Sequence, residues 1–199
     1  MKPLPSLAVL AALVLVLAAV AAAPGAGGQE TGGDPRLGAL SVEVDGNLAR
    51  VGFRLDDAVT PRFVERLESG LPTGFVYRLQ LLKDRKRWLD RAVEESTLQV
   101  FAMYDAATRG YLVNYKLDGK LIESRLVRGL PDLERAMTEI EALPAFELEG
   151  LPRSWRLLVR VQADVGARTL FGVLPSRAVT DWRESEKFRS LNPLPDAAR

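Results

Sequence analysis

Cysteine and histidine are both absent from the 199 residues of this chain. Without cysteine there can be no disulfide, thiolate nucleophile, sulfur-ligated metal or lipidated cysteine anchor, and the redox compartment leaves no mark on the sequence. Without histidine the usual general base near neutral pH is missing. With it go the Ser-His-Asp and Cys-His arrangements and the commonest zinc ligand. An excess of one charge is lacking too: Lys plus Arg total 27 against 26 Asp plus Glu, and the only charge before Ala23 is Lys2, so the remainder is close to neutral. No net field steers such a chain toward nucleic acid.

The motifs that carry chemistry are sparse. No Gly-rich loop precedes a helix in the manner that cradles phosphate, and Asp118-Gly119 lacks the further oxygens of a calcium loop. The acid pairs Asp56/Asp57 and Glu94/Glu95 are adjacent in sequence, so in extended chain their carboxylates point to opposite faces, poor geometry for shared acid-base work. They read as turn and cap residues. A Ser-Lys pair stays open, but no nucleophile sits in a turn such as G-x-S-x-G. No catalytic, cofactor or metal residue is therefore assigned.

What is present reads as a folded, exported protein. Apolar residues make up 47% and charged ones 27%, the balance of a globular chain, and the length fits one domain. Residues 1–23 hold Lys2 and then an apolar run from Leu7 to Ala23, a secretory signal pattern with an A-x-A site at Ala19-Val20-Ala21. The run is longer than an ordinary signal core and slightly short of a membrane span, so a cleaved signal and an uncleaved anchor both stand. Either places the body outside the cytoplasm, in the periplasm or on the outer face of the cytoplasmic membrane. Residues 24–36 are Gly-rich and read as a flexible linker, 37–190 as one β-rich domain, and 191–199 as a disordered tail.

Within the domain, LGALSVEV, Asp45-Gly46 and NLARVGFRL form a hairpin pattern. Thr60-Pro61 starts a short helix with Phe63, Val64 and Leu67 on its apolar face, ended by Gly70 and Pro72. FVYRLQLL alternates Phe75, Tyr77, Leu79 and Leu81 against Val76, Arg78, Gln80 and Leu82. Leu98 to Val127 is a meander of three strand-forming runs. Both faces of its first run are apolar, which makes it a candidate for the sandwich centre, and its AATRG loop ends in Gly110, which is able to take a positive φ. Pairing sets Tyr104 near Tyr111, and Asp118-Gly119 turns tightly into a partly solvated edge bearing Leu121, Glu123, Arg125 and Val127. A second helix opens at Pro131-Asp132 with Leu133, Ala136, Met137 and Ile140 buried and Pro144 as its stop. Trp155 to Val165 reads as a half-buried strand. The expected fold is a mainly β, antiparallel sandwich of about seven or eight strands with two short helices, an immunoglobulin-like arrangement being one form of it.

Candidate partner-binding residues lie at the rims. Arg85, Lys86, Arg87 and Trp88 could bind polyanions or phospholipid head groups, a peripheral membrane contact, or form a solvated loop with Trp88 folded back on the core. Arg156 and Arg160 could hold an anion or pair with surface acids. Trp182 and Phe188 are either an exposed anchor for a partner or packing along the sandwich. The Glu123/Arg125 strand is a third rim.

The run RLESGLPTGFVYRLQLLKDRKRWLD, the segment YDAATRGYLV and LERAMTEIEALP together resemble the bacterial family called domain of unknown function 4390 (DUF4390). The similarity spans roughly Leu37 to Phe188. Its markers are Gly70-Leu71-Pro72, Arg87-Trp88, Tyr104-Asp105 to Arg109-Gly110-Tyr111, and Leu174-Pro175 followed by Trp182. The resemblance implies an exported protein, in some members encoded beside a membrane sensor kinase, and brings no known active site. The functional expectation is a non-catalytic extracytoplasmic binding or scaffold domain of the bacterial envelope, linked to membrane signalling and acting through an unidentified envelope protein such as a sensor kinase. The alternative is a small-ligand carrier or a carboxylate- and tyrosine-based enzyme with a pocket between the sheets.

Overall fold

A computed structural model of the chain describes residues 33–85, 91–166 and 178–190. The signal segment, most of the linker, the Lys86–Trp88 cluster and the 191–199 tail lie outside these residues. Nine strands and two helices are described: β1 (Arg36–Asp45), β2 (Leu48–Asp56), α1 (Pro61–Glu68), β3 (Thr73–Lys83), β4 (Arg91–Asp105), β5 (Gly110–Leu117), β6 (Lys120–Val127), α2 (Leu130–Thr138), β7 (Glu139–Glu147), β8 (Leu157–Asp164) and β9 (Arg183–Glu184).

The strands form two antiparallel sheets, one ordered β1-β2-β7 and one ordered β6-β5-β4-β3-β8-β9. This is a β-sandwich, as the alternation requires, but its three-plus-six meander is not the four-plus-three Greek key of an immunoglobulin domain. The inward faces follow the period-two pattern. Ala49, Val51, Phe53 and Leu55 of β2 meet Phe75, Tyr77, Leu79 and Leu81 of β3, Leu98, Val100 and Ala102 of β4, and Val159, Val161 and Ala163 of β8 in one buried cluster. Phe53 and Tyr77 join the two sheets with ring centroids 4.9 Å apart.

Local chemistry sets the turns. Asp118 and Gly119 take φ 48° and 81°, the left-handed pair of a type I′ turn whose twist matches the flanking strands. In the β4–β5 loop the positive φ falls on Arg109, at 52°, rather than on Gly110. Gly110 is already in register opposite Asp105, whose carboxylate accepts from the Ala107 N–H and the Thr108 hydroxyl and thereby shapes the loop. Those bonds hold the Asp105 carboxyl below its ordinary range.

Helix α1 begins as its sequence requires: the Thr60 hydroxyl accepts from Phe63 N at 3.2 Å. It ends in a Schellman motif, with Gly70 at φ 85° and Leu71 N donating to Arg66 O at 3.3 Å. Thr60→Ala is expected to lower stability by about 1 kcal/mol, visible as a lower urea midpoint at unchanged m-value. A shift within error would mean that the stacking of Phe63 on Phe75, centroids 5.0 Å apart, holds the helix without its cap.

Helix α2 stops at Thr138, so Ile140 belongs to β7 and Pro144 lies inside that strand instead of closing the helix. From Glu139 onward the backbone is claimed by β2, in the pairs Arg54↔Glu139 and Phe53↔Ile140. Proline is tolerated because β7 is an edge of its sheet, and a bulge with Ala142 at φ 47° shifts the register there. Strand β4 also starts earlier than its apolar run, so Glu94 and Glu95 are strand residues opposite Leu81 and Gln80, not turn or cap residues.

Candidate functional site

Among the described residues, the inward side chains of β2, β3, β4, β5 and β8 pack between the sheets in one buried cluster. Two open clefts lie on the outside of the described residues. One of about 330 Å³ lies between β6 and α2, lined by Arg125, Arg128, Arg135, Asp132, Glu139 and Glu141. Another of about 620 Å³ lies beside α1 around Val59, Val64, Glu65, Glu68 and Leu130. Among the described residues no three acidic side chains gather as a metal site, and no helix is long and apolar enough to cross a membrane.

The sequence candidates divide between two places. Arg85 follows Asp84, whose side chain is only 9% exposed and is held by Lys187 at 3.0 Å and Arg156 at 3.4 Å. Phe188 exchanges backbone hydrogen bonds of 2.9 Å with Leu157 and packs against the core. The tail is thereby tied to the base of the basic loop, and Arg85 and Phe188 share one end of β8. Trp182 sits further along β8, half-buried, with the Arg160 guanidinium 4.5 Å from its ring centroid. Arg160 Nε donates to Gln80 Oε1 at 2.7 Å, and Gln80 Nε2 donates to Glu95 Oε1 at 2.7 Å. This chain of polar contacts runs across the outward face from β8 to β4. Lys86, Arg87 and Trp88 lie outside the described residues.

The opposite side of the same sheet is different in kind. Strand β9 closes one edge with two residues, whereas β6 is an eight-residue edge that no other described element covers on its free side. Seven of its eight residues are exposed, including Leu121 at 54% and Leu126 at 52%. The direction of its backbone groups follows from β5. Asp118 N donates to Thr97 O on β4, so Leu117, Tyr115, Val113 and Tyr111 turn theirs toward β6. On β6 the partners of Val113 and Tyr111, Arg125 and Val127, are then bonded inward to β5. Ser124 and Leu126, opposite Asn114 and Leu112, present their N–H and C=O groups to the open edge.

Side chains mark this edge as well. Met103, Leu112 and Leu126 are aligned across β4, β5 and β6 on the outward face, and all three are exposed. On the inward face Arg125 Nη2 donates to Glu123 Oε2 at 2.9 Å, and its guanidinium stands 5.0 Å from the Tyr115 ring. Hydrogen bonding from Arg125 holds the Glu123 carboxyl below its ordinary range, so both groups are charged at neutral pH. Alternation in the sequence marks Glu123 and Arg125 as a rim, but the outward row escapes it. Leu112 reads there as one more apolar residue between Tyr111 and Val113.

Comparison with known families matches residues 34–185 to a model described as a domain of unknown function, DUF4390. The chain belongs to the DUF4390 family. No curated protein and no solved structure matches it. In this DUF4390 chain the Gly70-Leu71-Pro72 marker forms the exit of α1. The Tyr104-to-Tyr111 marker is the β4–β5 hairpin, its two rings 5.2 Å apart. Trp182 lies on Arg160, while Arg87-Trp88 and Leu174-Pro175 lie outside the described residues. The markers among the described residues are turn and packing residues.

Proposed function

We propose that this DUF4390 chain is a non-catalytic binding or scaffold module of the bacterial envelope, working outside the cytoplasm and taking another polypeptide as an added strand on β6. The observation that carries this reading is the long edge of β6, open among the described residues, with backbone groups directed outward. Strand addition uses those groups for affinity and the flanking side chains for selectivity. The signal pattern of residues 1–23 supports export. The packing of the described inward side chains into one cluster weighs against a ligand carrier or a pocket enzyme. A membrane signalling protein such as a sensor kinase is the partner class that the family resemblance suggests.

A photoreactive amino acid placed at Ser124 in the full chain, expressed in its native host, tests the reading. Discrete adducts with a second polypeptide are expected from Ser124, and none from Glu149, an exposed loop residue used as control. Adducts from neither position, or equal adducts from both, would overturn it.

A further inference from the structure

Resting on the strand-addition reading above, we infer that the strand β6 accepts is β6 of a second copy of this chain, paired antiparallel about a two-fold axis through Ser124. The inference comes from the pattern of the edge itself. In that register Ser124 faces Ser124 of the second copy as a hydrogen-bonded pair, which uses the backbone groups that point away from β5. One residue to either side, Glu123 faces Arg125 of the second copy and Arg125 faces its Glu123. These are non-hydrogen-bonded pairs, in which opposed side chains come closest.

Charge on an edge strand ordinarily discourages indiscriminate pairing. Here the two opposite charges sit symmetrically about Ser124, so a strand of identical sequence satisfies both, whereas a neutral strand satisfies neither. The intrastrand Glu123–Arg125 contact becomes part of a four-charge cluster rather than being lost. The register irregularity of β6 falls at its Lys120–Ile122 end, so the regular part of the paired ladder is Glu123 to Arg125 of each copy, centred on Ser124. Two nearly neutral chains also meet without long-range repulsion.

The absence of cysteine makes the test clean. A hydrogen-bonded antiparallel pair sets its Cα atoms about 5.5 Å apart, within disulfide reach. The full chain carrying Ser124→Cys, oxidised in the envelope of its native host and again after purification, is expected to run at twice the monomer mass and to revert with reductant. Leu121→Cys, displaced from the axis, is expected to give roughly tenfold less of this species. Glu123→Arg places like charges opposite each other and should lower dimer affinity roughly tenfold in sedimentation equilibrium. The double change Glu123→Arg/Arg125→Glu should restore it, a rescue that a merely structural role for either residue would not give. Equal yields from Ser124→Cys and Leu121→Cys, or no linked dimer, would overturn the inference. If photoadducts at Ser124 contain only a different protein, the second copy is excluded and strand addition stands; if no adduct forms at all, both readings fall.

Discussion

Replacing Gly74 with alanine is expected to lower stability by about 3 kcal/mol, because the added methyl group has nowhere to go. A Cβ at this position would overlap the Val100 carbonyl oxygen and lie 2.6 Å from the Cα of Phe101. Both are backbone atoms of β4, the strand directly paired with Gly74, so no rotamer change relieves the clash. The sheet must open at its centre or β3 must move. β3 cannot move without pulling Phe75 from Phe63 and Tyr77 from Phe53. For a domain of this size the loss corresponds to a fall in melting temperature of roughly 10 °C. Gly46→Ala is the control: its Cβ would meet nothing within 4 Å, and only the positive φ of 61° is strained, at about 1 kcal/mol. Equal losses at the two positions would show that close approach of β3 to β4 is not what requires glycine at 74.

Gly74 also shows where reading the chain in order stops. Its tightness depends on a strand more than twenty residues away, and nothing in Thr73-Gly74-Phe75 announces it. Features determined by neighbours in sequence were legible: the Asp45-Gly46 and Asp118-Gly119 turns, the Thr60 cap, the facing of Tyr104 and Tyr111, and the buried alternation of β3 and β8. Features determined by distant partners were not. Glu94 and Glu95 read as turn and cap residues, yet Arg91 to Ser96 are strand because they continue the β4 ladder along Leu79 to Lys83. The exposed face of β4, with Met103 42% exposed, looked like a second core face because apolar residues alternate with apolar residues. Only the strand order reveals that, among the described residues, no second layer covers it. The same holds for the proposed site. Glu123 and Arg125 are visible in sequence as a charged rim, but whether their strand is internal, capped or open is a property of the whole sheet.

The end of α2 is the clearest case of such non-local control, and it predicts the second large effect: Tyr77→Phe should cost about 2 kcal/mol although it removes a single oxygen. The last carbonyls of a helix have no intrahelical donor, and those of α2 face the core instead of water. Tyr77, fully buried on β3, donates its hydroxyl to Met137 O at 2.9 Å, and Tyr115 on β5 donates to Ala136 O at 2.6 Å. Two strands of one sheet thus terminate the helix, where sequence offers neither glycine nor proline until Pro144. Burial pushes both phenol groups above their ordinary range, Tyr77 furthest, so they remain donors throughout the pH range in which the protein is expected to fold. Phenylalanine fills the same space but leaves a buried carbonyl without its partner, so the loss is a desolvation penalty rather than a cavity. Tyr111→Phe separates this cause from simple loss of a hydroxyl. Its partner, Glu68 Oε1 at 3.0 Å, belongs to an exposed residue that water can solvate, and less than about 1 kcal/mol is expected. Urea denaturation of the three variants gives the ranking, and hydrogen exchange should show faster opening at Arg135 to Ile140 in Tyr77→Phe and Tyr115→Phe but not in Tyr111→Phe. Equal, small losses in all three would mean that α2 is held by Leu133 and Met137 packing alone, and that the strand hydroxyls do not determine where the helix gives way to β7.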